Sequence, residues 1–169
     1  MRLTISLRTL VIVSAVVVLA VATWVLVDWL VVTDAERIDA TLTLAAQAVE
    51  RHDMDAIVDE CLDPDFKLGH MDREATRAWG KEILGQFNIV SVKKYGADVT
   101  VTGQTAHANV RAFVRGERMP GDQRLDWEFD LRKRDDTHWR ITGVRVFTFF
   151  PGARQELPLE DIRNYTSMP

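Results

Sequence analysis

Cysteine is almost missing from this sequence. Cys61 stands alone, so no intrachain disulfide can form. A basic surplus is missing too. Lys and Arg number 21 against 25 Asp and Glu, and setting aside Arg2, Arg8 and Asp28 leaves 19 against 24. A nucleic-acid binder needs a positive excess, so that class is excluded. There are no internal repeats, no low-complexity runs and no long Pro- or Ser-rich linker. HExxH, CxxC, GxSxG and the glycine-rich phosphate loop are also absent. The histidines, His52, His70, His107 and His138, are scattered, and with one Cys they give no metal-ligand spacing. No metal and no other cofactor is expected.

What is present begins with a long apolar run. Residues 10–27 carry no charge, and the run extends past Asp28 to Val32. As helix these lengths are roughly 27 and 34 Å, which bracket a bilayer core of about 30 Å. Val and Ile dominate, yet in lipid the backbone must bond to itself, so helix is expected. Trp24 and Trp29 suit the headgroup zone at the end of the run, and Asp28 between them can reach the interface. Arg2 and Arg8 precede the run; Asp28, Asp34 and Glu36 follow it. The positive-inside rule then predicts a cytoplasmic N-terminus, residues 1–9, a transmembrane helix, residues 10–32, and a domain outside the cytoplasm. The protein would sit in the cell's inner (plasma) membrane as a single-pass protein. A cleaved signal peptide is the rival reading, since Ala20-Val21-Ala22 fits the small-x-small pattern. The run is longer than the usual h-region and continues beyond that cut.

The remaining 136 residues suit one domain with a real core. Asp34 is placed to cap a helix to about Arg51, with Ile38, Leu42, Ala45 and Val49 on one face. Asp53 begins a short second helix carrying Met54, Ile57, Val58, Cys61 and Leu62, which Asp63-Pro64 ends. Residues 66–70 alternate as a short strand. Asp72 begins a third helix with Ala75, Trp79, Ile83 and Phe87 on one face. Strands follow at 89–95 and 98–102, flanking a turn at Gly96-Ala97. In the long strand 104–115, Ala106, Ala108, Val110, Ala112 and Val114 share a face. Residues 123–133 direct Leu125, Trp127, Phe129 and Leu131 inward, and Trp139 opens the last strand, to Phe149. Residues 151–169 form a tail. The fold class is α+β: three helices packed on a curved antiparallel sheet, behind a transmembrane helix.

The stretch from Ala48 to Phe66, AVERHDMDAIVDECLDPDF, resembles the opening of the NTF2-like (SnoaL-like, cystatin-like cone) superfamily. The stretch from Leu131 to Ile141, LRKRDDTHWRI, resembles its final hairpin. The resemblance spans residues 34–149 and assigns 34–150 to an NTF2-like domain. It implies a pocket between the helices and the concave sheet. It does not imply one activity, because the superfamily holds isomerases, dehydratases, epoxide hydrolases, cyclases and non-enzymatic binding modules. Its ketosteroid isomerases use a Tyr and two inward carboxyl groups. Here the tyrosines are Tyr95 and Tyr165, and Asp126, Glu128 and Asp130 sit opposite Trp127 and Phe129, so they face out.

Candidate ligand-binding residues follow from the predicted inward face: His70, Trp79, Ala108, Trp127 and Arg145. No catalytic set is assembled, and His70 is the one candidate general base. Arg145 points inward as an anion clamp unless a bulge near Gly143 turns it outward. Ala106, Ala108 and Ala112 let a helix approach closely or leave a cavity. The resulting expectation is a membrane-anchored, non-catalytic module that binds an envelope protein partner or a small apolar ligand. The alternative is a SnoaL-like acid–base enzyme of the cyclase, dehydratase or isomerase type. The charged outer sheet face predicts a weak homodimer at most.

Overall fold

The computed structural model describes residues 16–21, 33–135, 137–150 and 153–159. The chain divides into two units, Met1–Thr33 and Asp34–Pro169. In the first unit, residues 16–21 are helical and exposed. The other residues of the expected 10–32 span lie outside the described residues, as does Tyr165 in the second unit. Among the described residues no helix is long and apolar enough to cross a membrane.

The second unit opens with α1 (Asp34–Glu50), which buries Ile38, Leu42 and Ala48. Asp34 does not cap it. Its carboxylate instead accepts from Lys133 Nζ at 2.9 Å and the Trp139 indole at 3.2 Å, tying the start of α1 to the sheet. Asp53 does cap α2 (Met54–Ala56), accepting from the Ala56 amide at 3.0 Å. The helix then widens into a π-turn, Ile57–Cys61. Met54, Ile57, Val58, Cys61 and Leu62 are all buried, as their helical spacing implied. Asp72 caps α3 (Arg73–Phe87) through the Ala75 amide at 2.8 Å, and Asn88 ends it in the left-handed region, φ 47°. Gly80 lets α3 approach Met54 closely.

Five antiparallel strands follow in sequential order: β1 (Ile89–Thr102), β2 (Thr105–Gly116), β3 (Gln123–Lys133), β4 (Trp139–Phe150) and β5 (Ala153–Leu157). Three expectations are corrected here. Residues 66–70 are not a strand: Leu68 bridges to Met71 across a tight turn, where Gly69 takes φ 58°. Gly96 does not end a strand either. It takes φ 130° and absorbs a bulge between Lys94 and Ala97, so β1 runs on to the true turn at Gly103. The segment after residue 150 is not only a tail, because β5 adds a fifth strand and Leu159 is buried in the core.

Candidate functional site

The register of the sheet builds the concave face row by row. One row is Val99, Ala108, Phe129 and Val144; the next is Ala97, Val110, Trp127, Val146 and Leu157. Beyond them lies Lys94, Ala112, Leu125 and Thr148. Side chains alternate along a strand, so each row shares one face. Ala108, Val110, Ala112 and Val146 are buried, whereas Leu125, Trp127, Phe129 and Val144 are only partly buried. Trp127 and Phe129 stack at 6.0 Å between centroids with planes 6° apart. A stacked aromatic pair left partly open on the inner face of a sheet is an apolar surface that the helices do not fully cover.

Each expected ligand-binding residue has a definite place. Ala108 lies at 0% exposure in the core, beside Phe129 and one row from Trp127. Trp79 packs from α3 against the same core. Its indole N–H is buried and finds no acceptor among the described residues. Thus Trp79, Ala108 and Trp127 belong to one apolar region. His70 and Arg145 do not. His70 is exposed in the Gly69 turn, because that turn reverses the chain before the imidazole can follow Phe66 and Leu68 inward. Arg145 is turned outward. The β3–β4 register slips between Asp130 and Leu131, and the extra residue, Thr142, shifts the parity of the rest of β4. Arg145 then pairs with Glu128 at 3.0 Å on the outer face, where Arg154 also holds Glu128, at 2.7 Å.

The sequence reasoning missed one inward pair. Lys94 stands in the row of Ala112, and its ammonium reaches the Asp39 carboxylate and the Thr43 hydroxyl of α1. Placing a turn at Gly96 hid this, because it cut β1 before its parity could be read. The available signal was Asp39 and Thr43 at i, i+4 on one face of α1.

Two clefts stand out among the described residues, and neither is lined by Trp79, Ala108 or Trp127. One, of ≈ 340 Å³, lies on the outer face, where His107 Nδ1 meets Asp130 at 2.9 Å. The other lies at the β3–β4 hairpin. There Asp63 is fully buried. Burial alone would raise its pKa, but hydrogen bonds from Arg134 and the Asp65 amide outweigh that and hold it below the usual carboxylate value. Cys61 has no such partner set, and burial pushes its thiol up to about 11.

No family model matches the chain, and no curated protein matches it. Solved structures do. An NTF2-like protein from Cytophaga hutchinsonii aligns with TM-score 0.58 at 14% identity, over 70% of this chain and 100% of its own. A candidate dehydratase of the NTF2-like family from Streptomyces avermitilis aligns with TM-score 0.56 at 16% identity, over 69% and 97%. An NTF2-like protein with a cystatin-like fold from Novosphingobium aromaticivorans gives 0.57 at 18% identity, over 89% and 94%. At these identities the likeness shows the fold: the second unit is an α+β domain with an NTF2-like, cystatin-like cone.

Proposed function

We propose that this chain is a membrane-anchored module whose domain outside the cytoplasm binds a small, mostly apolar ligand on its concave face without turning it over. The observation that carries this reading is the inner sheet face itself. Its rows are apolar from Val99 to Val146, and the stacked Trp127 and Phe129 are left partly open. Apolar walls with few polar groups suit ligand capture more than proton transfer. The anchor, residues 10–32 with the N-terminus inside, rests on the apolar run and its flanking charges. A homodimer, if formed, is weak: the outer face carries Arg111, Glu128, Asp130 and Arg145, and interface cores are depleted in charge.

The test uses the full chain in nanodiscs, with 4-fluorophenol as a water-soluble apolar probe read by fluorine NMR line width. Broadening above that of empty discs, lost in Trp127→Leu, is the expected result. Broadening no greater than in empty discs, or equal in the variant, overturns ligand binding. For topology, a C-terminal reporter active only in the cytoplasm should stay silent, and activity refutes the orientation. A purified N-terminus at Thr23 would instead establish the cleaved signal.

A second reading has one observation in its favour. Lys94 and Asp39 form an inward ion pair at the rim of the concave face, and one neighbour in fold is a candidate dehydratase. An acid–base enzyme of that kind would use this pair, not His70. A rate on a defined substrate that Lys94→Met and Asp39→Asn both abolish would establish it.

A further inference from the structure

We propose that the cleft at the base of the β3–β4 hairpin binds a phosphate group, clamped by Arg140 together with Arg73 and Arg134. The cleft measures ≈ 400 Å³, and Leu62 and Pro64 line it beside these arginines. Its floor is fixed by the backbone. Leu62 bridges in parallel to Ile141, and the Asp63 amide donates to the Ile141 carbonyl at 2.8 Å.

Counting donors and acceptors decides the ligand's charge. A guanidinium carries five N–H groups and no acceptor. Arg73 spends Nε and Nη2 on the Val58 carbonyl and Asp59. Arg134 spends Nε and Nη2 on Asp63 and Asp65. Arg140 spends only Nη1, on the Asp59 carbonyl at 2.8 Å. Left over, among the described residues, are Nη1 of Arg73 and of Arg134, and both Nε and Nη2 of Arg140. The carboxylates that line the cleft are already paired. Asp59 is held by Arg73 and Arg77. Asp135 accepts from the amides of Thr137 and His138 and from both side chains. Donors left over on arginines whose neighbouring carboxylates are already paired suit an anion.

Two further observations point the same way. Arg140 has no carboxylate within ion-pair distance among the described residues, although it lies among arginines that do. Its cross-strand partner on β3, Arg132, is met by Asp65 at 3.7 Å, whereas Arg140 has no such partner among the described residues. Guanidinium forks match the oxygens of a phosphate, and such charge-assisted bonds are the strong ones. The volume leaves room for an attached group to lie on Leu62 and Pro64. Arg140 alternates with the buried Trp139 and Ile141, so its side chain leaves β4 on the face opposite the apolar rows, and none of the residues that line the cleft stands in those rows. The phosphate can come from a soluble molecule or a lipid headgroup.

Calorimetric titration of the full chain in non-ionic detergent with inorganic phosphate, at ionic strength matched with chloride, tests the site. One saturable site per chain is expected. Arg140→Gln should weaken it at least about tenfold, the loss of one charge-assisted hydrogen bond. Arg145→Gln, an outer-face arginine already paired with Glu128, should leave it unchanged. Should Arg140→Gln fail to fold, Arg140→Lys keeps the charge, removes the fork, and should weaken binding likewise. No saturable heat, or equal affinity in the folded Arg140 variant, overturns the proposal. Repeating the titration in nanodiscs with and without phosphatidic acid separates the sources. Loss of binding only with phosphatidic acid supports the site with a lipid occupant; undiminished binding supports it with a soluble one.

Discussion

Helix α3 contains two glycines, Gly80 and Gly85, and the same substitution should have opposite effects at them. Both are helical, so replacing either with Ala gains about 0.8–1 kcal/mol from propensity alone. At Gly85 a new Cβ would meet nothing within 4 Å, so Gly85→Ala should stabilise by about that amount. At Gly80 a Cβ would lie 2.4 Å from Met54 Sδ, 2.8 Å from its Cε and 3.0 Å from its Cγ. Met54 is itself buried at 7% exposure, so its thioether has little room to swing away. Overpacking of that kind costs about 1–3 kcal/mol, which exceeds the propensity gain over most of its range. Gly80→Ala should therefore be neutral to destabilising by up to about 2 kcal/mol. The clash vanishes once Met54 is shortened. In a Met54→Ala background, Gly80→Ala should recover the stabilisation seen at Gly85, giving a coupling of about 1–3 kcal/mol between the two sites. Urea unfolding of the full chain in detergent, followed by far-ultraviolet circular dichroism, measures all four variants. If Gly80→Ala stabilises the parent as much as Gly85→Ala does, α3 does not pack on Met54 as described and the placement of Trp79 falls with it.

Two other outcomes follow from buried titratable groups. Asp63 has a folded pKa below its ordinary value, so its contribution is fully present above about pH 4 and is lost as pH falls through the folded pKa. Asp63→Asn should flatten the acid limb of the stability profile, and an unchanged limb would refute this. The Cys61 thiol, buried and pushed up to about 11, should resist iodoacetamide at pH 8 in the folded chain and react once urea unfolds it. Prompt modification of the folded protein would show that the π-turn opens.

The helices were legible because their signals are local. Asp53 and Asp72 cap where Asp ahead of an apolar repeat should, and the spacing of Met54 to Leu62 is read within one or two turns. The inner face of β2 and β3 was legible for the same reason, since alternation in an unbroken strand needs no partner to be read. What failed was parity across irregularities. Gly69, Gly96 and the extra residue at Thr142 each change which way the following side chains point. Glycines at 69, 96 and 143 mark where a break can fall, and the bulge weighed near Gly143 is found there, but the direction in which the chain leaves each break is read only from the folded pairing. The candidate site divides along that line. Trp79, Ala108 and Trp127, read from undisturbed stretches, fall in one apolar region; His70 and Arg145, read across irregularities, fall outside it.

The slip at Thr142 that removes Arg145 from the concave face also leaves that face apolar along β4, with Val144 and Val146 inward in its place. Without the slip an inward Arg145 would have stood opposite Trp127, and burying its charge would have required a partner that the neighbouring inner rows do not supply. Outside, it finds Glu128, whose carboxylate is 13% exposed and shared with Arg154 of β5. One inserted residue therefore settles two properties together. It keeps the β4 part of the cone's wall free of charge, and it supplies a cation that pairs with the half-buried Glu128 on the convex side, beside Arg154 of β5. The apolar inner side of β4 and the Arg145–Glu128–Arg154 contact to the fifth strand are in this sense a single feature of β4.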